Sequence, residues 1–146
     1  MRTKKEILNH IVYVGKQNLP QGGRLILYGS QARGTATDAS DWDLLIILDK
    51  PKIEQSDYDN VSFPFTVLGW DLGQLISPVL YTKEEWDNNS FTPFYKDVQQ
   101  DAIYLKITSA FGDETNAIHI YLCVDDFSQL FHCLLLKGLH FPILSH

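Results

Sequence analysis

Residues 27–48 read LYGSQARGTATDASDWDLLIIL, and their reading decides the fold. RLILYG, 24–29, is a short apolar run that ends on glycine, which predicts a buried strand. GSQARG is a turn that can open a short helix, and the small polar TATDAS, 35–40, is a loop. DWDLLIILD, 41–49, is a second strand rich in Leu and Ile. Its opening Asp-Trp-Asp is unusual. Carboxylates at i and i+2 repel each other unless a positive charge sits between them, and a strand has no need of them.

The spacing has a chemical reading. Side chains alternate along a strand, so Asp41 and Asp43 share a face about 7 Å apart and Trp42 takes the other. Two carboxylates so placed converge on a hard cation such as Mg²⁺, which prefers oxygen ligands and bridges to phosphates. They also suit a pair of ions about 3.5–4 Å apart. Gly29 lets the backbone bend sharply or approach a ligand closely. Ser30 offers a hydroxyl and an N–H, and a helix opening there aims further N–H groups at a phosphate. Arg33 either adds charge to that phosphate or pairs with a carboxylate. One end of the stretch fits a triphosphate and the other its metal, the requirements of phosphoryl or nucleotidyl transfer. A Gly-Ser turn or an Asp-x-Asp by itself is common; their combination across one strand–turn–strand unit is not.

The rest of the chain supplies a framework. TKKEILNHIVYVGKQN, 3–18, predicts a helix with Ile7, Ile11 and Val14 on one face. Thr3 and Glu6 are set to form a capping box. PKIEQSDYDN is polar and expected to be exposed. In YDNVSFPFTVLGWDLG, 58–73, apolar content favours a helix while Pro64 and Gly69 oppose it. ISPVLYT, 76–82, predicts a third strand, with Pro78 at an edge or bulge. KEEWDN is a helical turn. TPFYKDVQQDAIYL, 92–105, is a helix capped by Thr92 and Pro93, followed by an extended end.

Composition sets the outer limits. The chain has 146 residues, 45% of them hydrophobic, which fits one domain with a real core. Net charge is −6, and the sole cationic cluster is Arg2, Lys4 and Lys5. Direct nucleic-acid binding is therefore not expected. Two cysteines, no signal-peptide pattern and no long apolar run predict a cytoplasmic protein without a membrane span. Composition shifts after Ile107. Cys123, Cys133 and four of the five histidines lie beyond it, with Lys137 the one basic side chain there. Residues 1–107 are thus read as one domain and 108–146 as an atypical apolar tail. The tail's Cys and His spacing matches no familiar zinc set. An unselected extension and a segment that docks on the domain or on a partner both stay open.

Gly29-Ser30, ten residues, then Asp41-Trp42-Asp43 resembles the signature of the DNA polymerase β-like nucleotidyltransferase superfamily. The form GSQARG…SDWD is most similar to the minimal nucleotidyltransferase group. Arg33, Gly34 and Ser40 also match its turn. The resemblance implies an α+β fold, a small mixed sheet flanked by helices. It implies that Gly29, Ser30, Arg33 and Gly34 bind nucleotide phosphates, and that Asp41 and Asp43 are catalytic and hold Mg²⁺, two ions in all. The group moved would be a nucleoside monophosphate, AMP from ATP, onto an acceptor hydroxyl. Active members of the superfamily usually carry a third carboxylate on a later neighbouring strand. Here LISPVLYT holds no acid, and Asp71, five residues before Ile76, is the candidate.

Two functional readings follow from the resemblance. One is an enzyme whose acceptor is an antibiotic hydroxyl or, better matched to so short a chain, a tyrosine of a partner protein. The other is a non-catalytic antitoxin that neutralises a HEPN-like helical RNase by contact. The acidic balance suits such a partner.

Overall fold

The computed structural model describes residues 2–107. The apolar tail expected at 108–146, with both cysteines, lies outside the described residues. Eleven elements follow one another: α1 (Lys4–Asn18), β1 (Arg24–Tyr28), α2 (Gly29–Arg33), β2 (Trp42–Leu48), α3 (Gln55–Asp57), a π-helical turn (Tyr58–Ser62), α4 (Phe63–Leu72), β3 (Ile76–Thr82), α5 (Lys83–Asn88), α6 (Pro93–Asp101) and β4 (Ile103–Leu105). The strands form one sheet in the order β3-β2-β1-β4. β1 runs antiparallel to both β2 and β4, while β2 and β3 are parallel. This is the mixed α+β architecture expected of a small nucleotidyltransferase fold. None of the described helices is long and apolar enough to cross a membrane.

β2 is apolar on both faces because it is buried on both. Trp42, Leu44, Ile46 and Leu48 join Ile7 and Ile11 of α1 and Phe65 and Leu68 of α4 in one core layer. Leu45 and Ile47 point the other way, onto Trp86 of α5 and Val98 of α6. Full burial of one such side chain contributes about 1.5–3 kcal/mol, so the central strand anchors everything attached to it.

Local chemistry sets the element ends. Thr3 Oγ1 accepts from the Glu6 N–H at 3.2 Å, and Glu6 Oε2 accepts from the Thr3 N–H at 2.7 Å, which completes the box expected at α1. Pro64 directly follows the π-helical turn, where the backbone runs on as helix through Ser62 and Phe63 into α4. Gly69 is needed for closeness: a Cβ there would stand 2.6 Å from the Gln74 carbonyl oxygen. Pro78 sits on β3, an edge of the sheet. The PKIEQSDYDN segment is largely exposed, as expected, with Asp57 the exception. It enters α3 and the π-helical turn, and Asp57 is buried, accepting from Lys50 at 2.8 Å and from the Glu54 N–H at 2.7 Å.

Candidate active site

The site forms where β1 ends, α2 begins and β2 starts. Register pairs Tyr28 with Asp43, so the residue before the Gly-Ser bend lies across from the second aspartate. Gly29 has φ +74°. A Cβ on it would overlap Asp43 Oδ2 and stand 3.2 Å from Asp43 Cγ. Glycine is therefore required here twice, by its backbone angle and by the carboxylate against it. The bend and the aspartate form a single structural unit.

α2 is one short turn. Its N-cap, Tyr28, contributes no side-chain capping bond. The first N–H groups of any helix lack partners within it, and here they belong to the Gly29-Ser30 bend. Gly34, with φ 79°, closes the turn as its N–H and that of Thr35 donate to the Ser30 carbonyl at 3.0 and 3.1 Å. Gly34 thus ends the helix, and the loop that follows is held by Thr37 N–H donating to Ser40 Oγ at 2.8 Å.

Asp41 immediately precedes β2 and Asp43 is its second residue. By strand alternation both face the side of the sheet opposite Trp42. Asp43 is held above the usual carboxylate range, first by burial, then by repulsion from Asp41, with Arg33 opposing the rise. The three side chains thus share one electrostatic environment. Tyr28, half-buried beside them, is pushed up to about 12, by burial first and then by Asp43 and Tyr81. It stays a neutral hydroxyl at physiological pH.

Arg33 Nη1 donates to Asp101 Oδ2 at 2.6 Å, which joins the end of α2 to the end of α6. The sequence left phosphate and carboxylate open as partners for Arg33; in this structure it meets a carboxylate. Sequence reasoning passed over Asp101 because no local pattern links residues 68 positions apart.

The neighbouring strand completes one wall. Parallel register sets Trp42 beside Ile76 and Asp43 beside Ser77. Trp42 N–H donates to the Leu75 carbonyl at 2.8 Å, so the same register continued one step places Leu75 beside Asp41. Leu75 is 61% exposed. The position flanking Asp41 on this strand therefore carries an exposed leucine. Trp42 Nε1 donates to Gln74 Oε1 at 3.3 Å and ties that turn to β2. Asp71 lies exposed near the end of α4. Among the described residues no three His, Cys, Asp or Glu side chains gather as a metal set, so Asp71 does not join Asp41 and Asp43 in one.

The arrangement has a clear chemical capacity. A carboxylate pair, oxygen donors only, beside a bend with room for no side chain, fits a hard divalent cation and the phosphates it bridges. The comparisons with known proteins agree with this class. The nucleotidyltransferase domain family matches residues 8–107, and the chain belongs to that family. A solved structure, a crystal structure of a toxin–antitoxin with AMP-PNP, aligns with TM-score 0.51 and 19% identity over 68% of this chain and 73% of that one. That likeness is one of fold. No curated protein matches the chain in sequence.

Proposed function

We propose that this chain is a Mg²⁺-dependent nucleotidyltransferase that moves a nucleoside monophosphate, AMP from ATP, onto a hydroxyl of a partner protein. The observation that carries this reading is the contact of Gly29 with the Asp43 carboxylate, which unites the phosphate-binding bend with the acidic pair. Asp41 and Asp43 would hold the cations, whose role is to offset charge on the phosphates and the departing pyrophosphate. Gly29, Ser30 and Gly34 would cradle the β and γ phosphates, with Arg33 adding charge. In the reaction the acceptor oxygen bonds to the α-phosphorus. The α,β bridging P–O bond breaks, pyrophosphate leaves with its electron pair, and the hydroxyl proton passes to water.

A second reading is favoured by Leu75. With an alkyl side chain beside Asp41, the site has two acids where full metal ligation and acceptor deprotonation call for more. The chain would then bind nucleotide, turn over slowly, and act on a HEPN-like helical partner by contact, as an antitoxin. The similarity to a toxin–antitoxin structure is compatible with either reading.

The test uses ATP labelled at the α-phosphate and, separately, at the γ-phosphate. The proposal expects Mg²⁺-dependent transfer of the α-label alone to a co-purified partner, abolished by Asp41→Asn with Asp43→Asn. Loss of transfer together with loss of partner neutralisation supports the enzyme; neutralisation that survives the double change supports contact.

A further inference from the structure

Arg33 and Asp101 close two helices that meet beside the acidic pair. Their contact is short, 2.6 Å, and asymmetric in exposure: the Asp101 side chain is 14% exposed and that of Arg33 is 50%. The carboxylate is therefore the anchored partner and the guanidinium the presented one. Arg33 is only three residues beyond Ser30, on the one-turn helix whose first residue, Gly29, lies against the Asp43 carboxylate.

We propose that Asp101 is a positioning residue that fixes Arg33 at the mouth of the Asp41–Asp43 pair, where the guanidinium meets the nucleotide triphosphate. The inference rests on the nucleotide-binding reading above and extends it to a residue outside the Gly-Ser and Asp-x-Asp stretch. A merely structural tether between α2 and α6 would change thermal stability and leave nucleotide affinity alone. A positioning role changes affinity, and only while Arg33 is present.

The experiment titrates the full 146-residue chain with AMP-PNP in the presence of Mg²⁺ by calorimetry. Asp101→Asn is expected to weaken binding roughly ten-fold. Asp101→Glu, which keeps the charge, is expected to restore most of that loss. In an Arg33→Ala background, Asp101→Asn is expected to have no further effect. Wild-type affinity in Asp101→Asn, or an equal loss with and without Arg33, overturns the inference and leaves the function standing. Failure of the wild-type chain to bind AMP-PNP overturns both.

Discussion

Gly29 lies against the carboxylate of Asp43, so closely that an added Cβ would stand 3.2 Å from Asp43 Cγ. Two residues fourteen positions apart thereby become one feature. The bend cannot relax without moving the acid, and the acid cannot turn inward without striking the bend. Gly29→Ala is expected to fail on both counts. A left-handed backbone angle with a side chain costs on the order of 1 kcal/mol, and displacement of Asp43 adds to it. Thermal unfolding should show a Tm lower by about 4–8 °C for each kcal/mol lost. Nucleotide binding should fall as well. A variant with unchanged Tm and binding would show that the contact is incidental.

Asp43 gives stability a definite pH dependence. Its carboxyl is raised in the fold, chiefly by burial and then by Asp41. Between its ordinary value and the raised one, the folded chain holds more protons than the unfolded chain, so this residue's contribution falls as pH rises across that window and is flat above it. Without divalent cations, Asp43→Asn should therefore be more stable than wild type at neutral pH, with the advantage shrinking as pH drops toward the usual carboxylate range. Melting curves over pH 3–8 measure it, a span of about five units around the reference value. An Asn variant less stable at neutral pH would contradict the stated strain.

Mg²⁺ should relieve the same repulsion. A ligand that binds only the folded state raises Tm with concentration. The wild-type chain is expected to melt higher as Mg²⁺ is added, and Asp41→Asn with Asp43→Asn is expected not to respond. Equal responses would place cation binding elsewhere.

Leu75 is the natural position at which to add an acid. The β2–β3 register sets it beside Asp41, and it is exposed. Leu75→Asp is expected to tighten Mg²⁺ binding about ten-fold, near 1.4 kcal/mol, because cation affinity follows the number of charged ligands. It should also lower Tm in the absence of Mg²⁺, since a third like charge joins the pair. Calorimetric titration with Mg²⁺ reads the first effect. Unchanged affinity would mean that the side chain at 75 points away from Asp41.

The turn that presents Leu75 depends on Gly69. A Cβ there would sit 2.6 Å from backbone oxygen, which cannot swing aside as a side chain does. Gly69→Ala should cost about 1–3 kcal/mol by overpacking. It should also loosen the Trp42–Gln74 bond, visible as a change in tryptophan fluorescence.

Much of this was legible in the sequence, and the rest failed for identifiable reasons. The unit β1–α2–β2 could be read because its signals are local: an apolar run, a glycine at a bend, acids at alternate positions. The capping box at Thr3 and Glu6 is equally local. Helix α4 was harder, because Pro64 and Gly69 lower helix propensity when judged alone. In the fold Pro64 directly follows the π-helical turn that leads into α4, and Gly69 serves close packing against Gln74. Asp57 looked like surface and is buried because Lys50 and a backbone N–H reach it. The Arg33–Asp101 pair and the place of Leu75 follow from topology, which no window of adjacent residues contains.

The proposed function requires the Gly29–Ser30 bend and the Asp41–Asp43 pair to form one metal–triphosphate site. Calorimetric titration of the full chain with AMP-PNP, with and without Mg²⁺, tests it most directly. The expected result is saturable binding that requires Mg²⁺ and is lost in the folded Asp41→Asn, Asp43→Asn variant. Binding that ignores Mg²⁺, or that persists unchanged in that variant, would contradict it.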